Sequence, residues 1–299
     1  MNPIRNRRTL SDISLSLVIY PMLALFGAMT LYPFLNLLAV SFNESLDTLR
    51  GGIYLLPRQW TLDNYRAIFA NDRLFGAFLM SITRTIVGTV FGILCTAVFA
   101  YALSLREFVF RRLFNVFLVL TLYINGGLIP SYLLIKNLHL MNNFLVYILP
   151  LLVNAFFIII MRSYFETLPA GLTESAKIDG ANHRQTLFRI IMPISLPVIA
   201  TVTLFLAVVH WNSWFDNYLY TSRSEHLSLL QYELMKILLS ALDQSAAQQA
   251  HIGEGTVSSV TPQAIRAAMT AVVTVPILAV YPFLQRYFIS GMTIGAMKE

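Results

Sequence analysis

Charge is scarce in this chain. Asp, Glu, Lys and Arg make up only 12% of its 299 residues, about half of what a soluble domain usually carries. Cysteine is scarcer still. Cys95 stands alone inside an apolar run, which excludes an internal disulfide and any cysteine-built metal site. There is no G-x-x-x-x-G-K-[ST] phosphate loop, so the chain lacks the means to hydrolyse ATP by itself. None of the five histidines (His139, His183, His210, His226 and His251) has H-E-x-x-H metal spacing, and no serine or cysteine is adjacent to a base. These absences argue against an enzyme acting on its own.

Apolar sequence is abundant instead. The chain is 57% hydrophobic with mean hydropathy +0.65. Runs of about twenty apolar residues are too long for a soluble core and long enough to cross a bilayer. Six candidate spans run over 14–41, 76–104, 113–136, 143–164, 194–215 and 264–290. Arg5, Arg7 and Arg8 precede the first one. That stretch is too long for a signal peptide and lacks a small-residue cleavage site, so it reads as a retained span. The expected organisation is an all-α membrane protein: an N-terminal segment (1–13), a six-helix transmembrane domain (14–290) with a polar loop at 165–197, and a tail (291–299).

The formal net charge of +6 would suggest nucleic acid in a soluble protein. Here the basic residues cluster at span ends, which points to membrane orientation. One side holds Arg5, Arg7, Arg8, Arg106, Arg111, Arg112, Arg162, Lys177, Arg184, Arg189, Arg286 and Lys298. The other holds Arg50, Arg58, Arg66, Arg73, Lys136, Arg223 and Lys236 on longer loops. The richer side reads as cytoplasmic, which places both termini and the 165–197 loop there. Arg84 falls within a span, and snorkelling to the interface is its expected solution.

Several motifs lie inside the spans. Asn125-Gly126-Gly127-Leu128-Ile129-Pro130 would break the third helix and free backbone polar groups, tolerated only beside protein or water. A break lining a translocation path and a kink that only shapes packing fit it equally. Gly88 and Gly92 form a small-xxx-small face for close helix approach. Trp211-Asn212-Ser213-Trp214 suits sugar binding, but position alone favours an interfacial aromatic belt. Asn154, midway along the fourth span, is a better path candidate, or it bonds a neighbouring helix.

The most informative polar segment is Glu174-Ser175-Ala176-Lys177-Ile178-Asp179-Gly180-Ala181, followed by Ile190-Ile191-Met192-Pro193. Pro169 suits the first turn of a helix, and Gly180 a helix stop. Asn182 with Gln185 reads as a capping box opening a second helix that ends near Pro193. Two short helices with a sharp turn at Gly180 are expected on the membrane surface.

This segment resembles the "EAA" signature of permease subunits in binding-protein-dependent ABC importers, in which Glu-Ala-Ala is followed by Gly and later by Ile-x-Leu-Pro. Glu174, Ala176, Gly180, Ile190 and Pro193 match in register, while Ser175 replaces an Ala and Met192 the Leu. Asp179-Gly180-Ala181 and Pro197-Val198-Ile199-Ala200 resemble the sugar-importing branch. So do Gly126-Gly127-Leu128-Ile129-Pro130, Trp211–Trp214 and the tail from Gly291 to Glu299, whose last residue departs from the usual Gly. The whole chain is similar to the smaller permease of maltose-type transporters, and more so to permeases for acidic oligosaccharides such as alginate or pectin fragments.

The resemblance implies a bacterial inner-membrane subunit with the type I importer fold, working by alternating access. Glu174, Ser175, Ala176, Asp179, Gly180, Ala181 and Pro193 would dock on an ATPase subunit. Gly295, Met297 and Lys298 would reach the interface of two such subunits. Asn125, Gly126, Gly127, Asn154, Trp211, Asn212 and Trp214 would be candidates for the translocation path. Implied partners are a second, related permease, two ATP-binding cassette subunits, which would hold ATP and magnesium, and a solute-binding protein met by the outer loop 241–262. No cofactor, metal or nucleic acid is expected in this chain. An ion-coupled secondary transporter is the alternative, and the lack of acidic residues within spans counts against it.

Overall fold

The computed structural model describes the backbone of residues 10–248 and 261–296 and the side chains of 15–240 and 261–280. Thirteen α-helices occur among the described residues: α1 (Leu10–Ser41), α2 (Ser45–Leu49), α3 (Asp63–Phe69), α4 (Asp72–Ser104), α5 (Arg111–Tyr123), α6 (Leu128–Asn137), α7 (Ala155–Thr167), α8 (Ala170–Ile178), α9 (His183–Gln185), α10 (Met192–Ile194), α11 (Leu196–Asn212), α12 (Leu230–Gln248) and α13 (Pro262–Ala296). Short 3-10 turns cover Phe144–Tyr147 and Leu149–Leu151, and π-helical turns cover Thr186–Ile191 and Asn217–Thr221. The described residues contain no strand, only one antiparallel bridge between Asn43 and Trp60.

Three helical stretches (Leu15–Ser41, Asp72–Ser104 and Pro262–Val280) are long and apolar enough to cross a bilayer alone, and three bent pairs bring the number to six. The bend between α5 and α6 falls at the break expected within 113–136, while the other two bends interrupt 143–164 and the start of 194–215. α5 and α6 meet at 120°, the 3-10 segment Phe144–Leu151 meets α7 at 47°, and His183–Ile194 meets α11 at 88°. Each bend has a sequence cause. Gly127 adopts φ 85°, a left-handed conformation that glycine takes without a Cβ penalty, and the Asn125 carboxamide accepts from its N–H at 2.9 Å. Pro150 tightens the turn before α7. Ser195 lies between Pro193 and Pro197, so the helix breaks there and the second loop helix runs past Pro193 to Ile194 before turning into α11.

The chain divides into two compact units. The first comprises residues 1–70 and 241–272. Its loop after α1 is fixed by buried polar side chains. Asn43 donates to Asp47 and Thr48, both at 3.1 Å, and accepts from the backbone of Arg58 (2.8 Å) and Gln59 (2.9 Å). Asn64 donates to the Ser41 and Asn43 carbonyls at 2.9 Å. The Asn43 carboxamide and the Arg58 guanidinium hold the Asp47 carboxyl below the usual carboxylate range. The segment 241–262 is helical as far as Gln248, and its continuation to 260 lies outside the described residues.

The second unit comprises residues 71–240 and 273–299 and is organised around α4. α4 packs on α7 and α11 through Ala97, Ala100, Met161, Val202 and Leu206, all of them buried. Association of helices in lipid depends on close fit, because lipid tails are as apolar as leucine. The glycine face on α4 supplies that fit. A Cβ on Gly88 would come within 2.4 Å of the His210 ring, and one on Gly92 within 3.3 Å of Leu206.

Candidate functional site

The 165–197 loop folds as two helices and a tight turn. Pro169 caps α8 rather than opening its first turn. After Asp179, Gly180 takes φ 77°, and the Ala181 N–H reaches back to the Ala176 carbonyl at 2.9 Å, which satisfies a free helix-end acceptor. Asn182 and Gln185 exchange side-chain and backbone bonds of 2.9 Å, completing the capping box.

Contacts below the turn anchor it. Ala176 is buried, as are Leu187 and Ile191, which pack in the cluster containing Tyr101 and Phe165. The Lys177 ammonium donates to Glu107 at 2.5 Å, and the Tyr101 hydroxyl lies 3.3 Å from His183 Nδ1. Lys177 holds the Glu107 carboxyl below its ordinary range. The loop also presents Glu174, Ser175, Asp179 and Pro193 to the exterior, with Ala181 half-buried. Ile178 is 87% exposed and makes an apolar knob beside the turn. Sequence reasoning missed the exposure of Ile178 and the pairing of Lys177 with Glu107. The signal for Ile178 was an isoleucine whose helical neighbours at i−3 and i−4 are Ser175 and Glu174, so the chain offers it no apolar partner on that face.

A second polar cluster sits inside the bundle. Arg84 is 0% exposed, which corrects the snorkelling expectation. Its guanidinium pairs with the Asp216 carboxylate, donates to the Ser213 carbonyl at 3.2 Å, and lies 4.6 Å from the Tyr147 ring centre. The Tyr147 hydroxyl meets Thr221 at 2.6 Å and donates to the Leu227 carbonyl at 2.7 Å. Asn217 accepts from the Leu229 N–H at 2.8 Å, and the Ser81 hydroxyl accepts from the Leu230 N–H at 2.9 Å. One ion pair therefore ties the middle of α4 to the break after α11. The sequence carried half of this message: a mid-span arginine needs a counter-charge, and Asp216 is the acidic residue at an apolar run's end.

Asp216 also borders a cleft of about 530 Å³ beside the α5–α6 break, lined by Asn125, Gly127, Ser131, Ser213 and Tyr220 among others. Of the path candidates, Asn125 and Gly127 reach this cleft; Ser131, Asp216 and Tyr220 were missed. Gly126 lies outside the lining. Asn154 caps α7, accepting from the Phe156 N–H at 3.0 Å. Trp211 is buried and its indole donates to the Val273 carbonyl at 2.9 Å, so it belongs to helix packing rather than to an interfacial belt. Asn212 accepts from the Gln231 amide at 3.1 Å, and Trp214 meets Phe215 edge to face. In the tail, Gly295 falls in the last turn of α13, while Met297 and Lys298 lie outside the described residues.

Known proteins share the sequence pattern and the overall fold. Residues 88–294 match the family described as "Binding-protein-dependent transport system inner membrane component". The chain is 35% identical over 283 residues to the polygalacturonan/rhamnogalacturonan transport system permease protein YtcP of Bacillus subtilis, covering 94% of this chain and 97% of that one. It is 37% identical over 273 residues to protein LplC of the same organism, covering 91% and 90%. A chain from the crystal structure of a bacterial ABC transporter that imports the acidic polysaccharide alginate superposes with TM-score 0.80 at 29% identity, covering 94% of this chain and 98% of that chain. With most of its length matched in this way, the chain belongs to the family of inner-membrane permease components of binding-protein-dependent ABC transport systems.

Proposed function

We propose that this chain is one permease half of an ATP-driven oligosaccharide importer, with acidic polysaccharide fragments as its cargo class. The relatives named for polygalacturonan, rhamnogalacturonan and alginate support the cargo. In this reading the chain crosses the bacterial inner membrane six times with both termini and α8 in the cytoplasm, on the side richer in arginine and lysine. α8 seats in a cleft of a cytoplasmic ATPase subunit, which holds ATP and magnesium. The tail at Gly295, Met297 and Lys298 lies between two such subunits. A second, related permease completes the path, and a solute-binding protein delivers the sugar from outside. The chain itself catalyses nothing and holds no cofactor.

The single observation that carries this proposal is the rigid turn at Gly180, which exposes Glu174, Ile178 and Asp179 while Ala176 and the Lys177–Glu107 tether hold its back. An acidic and apolar projection of this kind suits a cleft that is basic at its rim and apolar at its floor. On ATPase closure the tether passes the displacement of α8 to the α4–α5 connection, and the helices re-orient around the cleft.

The test is co-purification from the native host, followed by vesicle assays with Glu174→Arg. We expect the ATPase, the second permease and the binding protein to accompany the wild-type chain. The variant should insert normally but lose binding-protein-stimulated ATP hydrolysis and uptake. Full activity in the variant would remove α8 from the coupling path, and uptake driven by an ion gradient without ATP would replace the proposal.

A further inference from the structure

We infer that the loop after α1 is a membrane-interface anchor whose partner is the lipid headgroup boundary. The first observation is depth. The apolar stretch Leu15–Ser41 has 27 residues, about 40 Å of helix at 1.5 Å per residue. That about equals the roughly 30 Å hydrocarbon core plus two interfacial layers of about 5–7 Å each, so the last turn of α1, about 5.4 Å long, lies in an interfacial layer rather than in hydrocarbon.

The loop is pinned to this end of the helix. Asn36 on α1 donates to the carbonyls of Ile53 (2.7 Å) and Tyr54 (2.9 Å), and the Trp60 ring rests 6.0 Å from Phe42, just past the helix end. Asn36 lies five residues before the end of α1 at Ser41, about 7.5 Å along the helix, which places it at the inner edge of one interfacial layer. Tyr54 and Trp60 are therefore held at the height where the span leaves the bilayer.

Chemistry is the second observation. Leu56 is 73% and Trp60 is 69% exposed, and Tyr54 and Leu55 are exposed as well. Leucine side chains flanked by tyrosine and tryptophan form the mixed apolar and amphipathic surface that interfaces favour. Arg50, exposed on the same loop, offers a cation to lipid phosphate. Rigidity is the third. The Asn43, Asp47, Arg58 and Asn64 bonds fix the loop, so its apolar side chains remain displayed without collapsing onto each other. A displayed apolar surface at this height, immobilised by its own buried polar network, matches a wedge seated among headgroups.

The test uses the intact importer complex in lipid nanodiscs. A nitroxide is attached to Leu56→Cys in a Cys95→Ser background, and collisions with oxygen, which partitions into lipid, are compared with those of a water-soluble nickel chelate. A free nitroxide in the surrounding buffer serves as the aqueous reference. The oxygen-to-nickel ratio is expected to be several-fold higher at position 56 than in buffer, and unchanged by saturating solute-binding protein. A ratio equal to that in buffer would put the loop in water. Protection from both reagents, or a response to the binding protein, would mean a protein partner instead. Either outcome overturns the inference.

Discussion

Two polar regions interrupt this apolar chain, and they are built on opposite principles. The Arg84 cluster is closed: its guanidinium is wholly buried, and Asp216, Ser213 and Tyr147 receive it. The 174–180 turn is open: Glu174 makes no hydrogen bond or ion pair among the described residues, and Ile178 points outward. A buried charge must find its counter-charge within the fold, because the low-dielectric interior penalises an orphan by several kcal/mol. An exposed charge is free to wait for another molecule. The contrast suits the first region to holding the fold together and, on the function proposed above, the second to docking, and each prediction is a way to break that division.

The largest effect belongs to the buried pair. Arg84→Leu leaves Asp216 facing an apolar neighbour, and Asp216→Leu strands the guanidinium. Each should destabilise the second unit by about 3–5 kcal/mol. Thermal unfolding of the purified complex is the readout. The double substitution Arg84→Leu/Asp216→Leu should be closer to wild type than either single one. If the single variants unfold like the parent, the cluster is not a structural clasp.

Steric closeness comes next. Gly88→Ala drives a Cβ into the His210 imidazole, at 2.4 Å before relaxation. Overpacking of this kind costs about 1–3 kcal/mol. Adding His210→Ala should recover part of the loss, because it removes the ring that the new methyl meets. A fall of the same size in Gly27→Ala, which has open space around it, would show that the effect is general to helix glycines and not a contact between α4 and α11.

How much of each region was legible follows from the range of the interactions that build it. The Gly180 turn and the Asn182–Gln185 box are local, set by residues within five positions of each other, so pattern alone places them. The same holds for the Gly88–Gly92 face. The Arg84–Asp216 pair spans 132 positions, and no periodicity links the two residues. Trp211 misled for the same reason: its sequence neighbours suggest an interfacial belt, whereas its partner is the distant Val273 carbonyl. The bend angles were hidden too. Asn125-Gly126-Gly127 announces a break, but whether two arms meet at 30° or 120° depends on what they pack against.

On the open side, Gly180→Val asks how much of the turn is needed. A β-branched residue forced to a positive φ costs about 1–2 kcal/mol locally, and the exposed position spares the core. The melting temperature should move by a few degrees at most, while binding-protein-stimulated ATP hydrolysis falls sharply. A variant that loses stability and coupling in proportion would erase the distinction between the two regions.

The smallest effect on stability, and the sharpest on mechanism, is expected at the Lys177–Glu107 tether. Both side chains reach solvent, so water and salt screen their attraction, and breaking the pair should barely change unfolding. As a link between α8 and the α4–α5 connection it matters by position instead. Glu107→Lys alone should reduce uptake through like-charge repulsion against Lys177. The reciprocal chain Glu107→Lys/Lys177→Glu should restore uptake, since the attraction is regained with its ends exchanged. The pH dependence has a definite sign. Lys177 depresses the Glu107 carboxyl, so the tether is complete above the ordinary carboxylate range and is lost as pH falls through the lowered value. Coupling measured from neutral to mildly acidic pH should therefore stay level for the parent pair. A reciprocal chain that folds, binds the ATPase and still fails to transport would show that the tether is not the route by which α8 moves the spans.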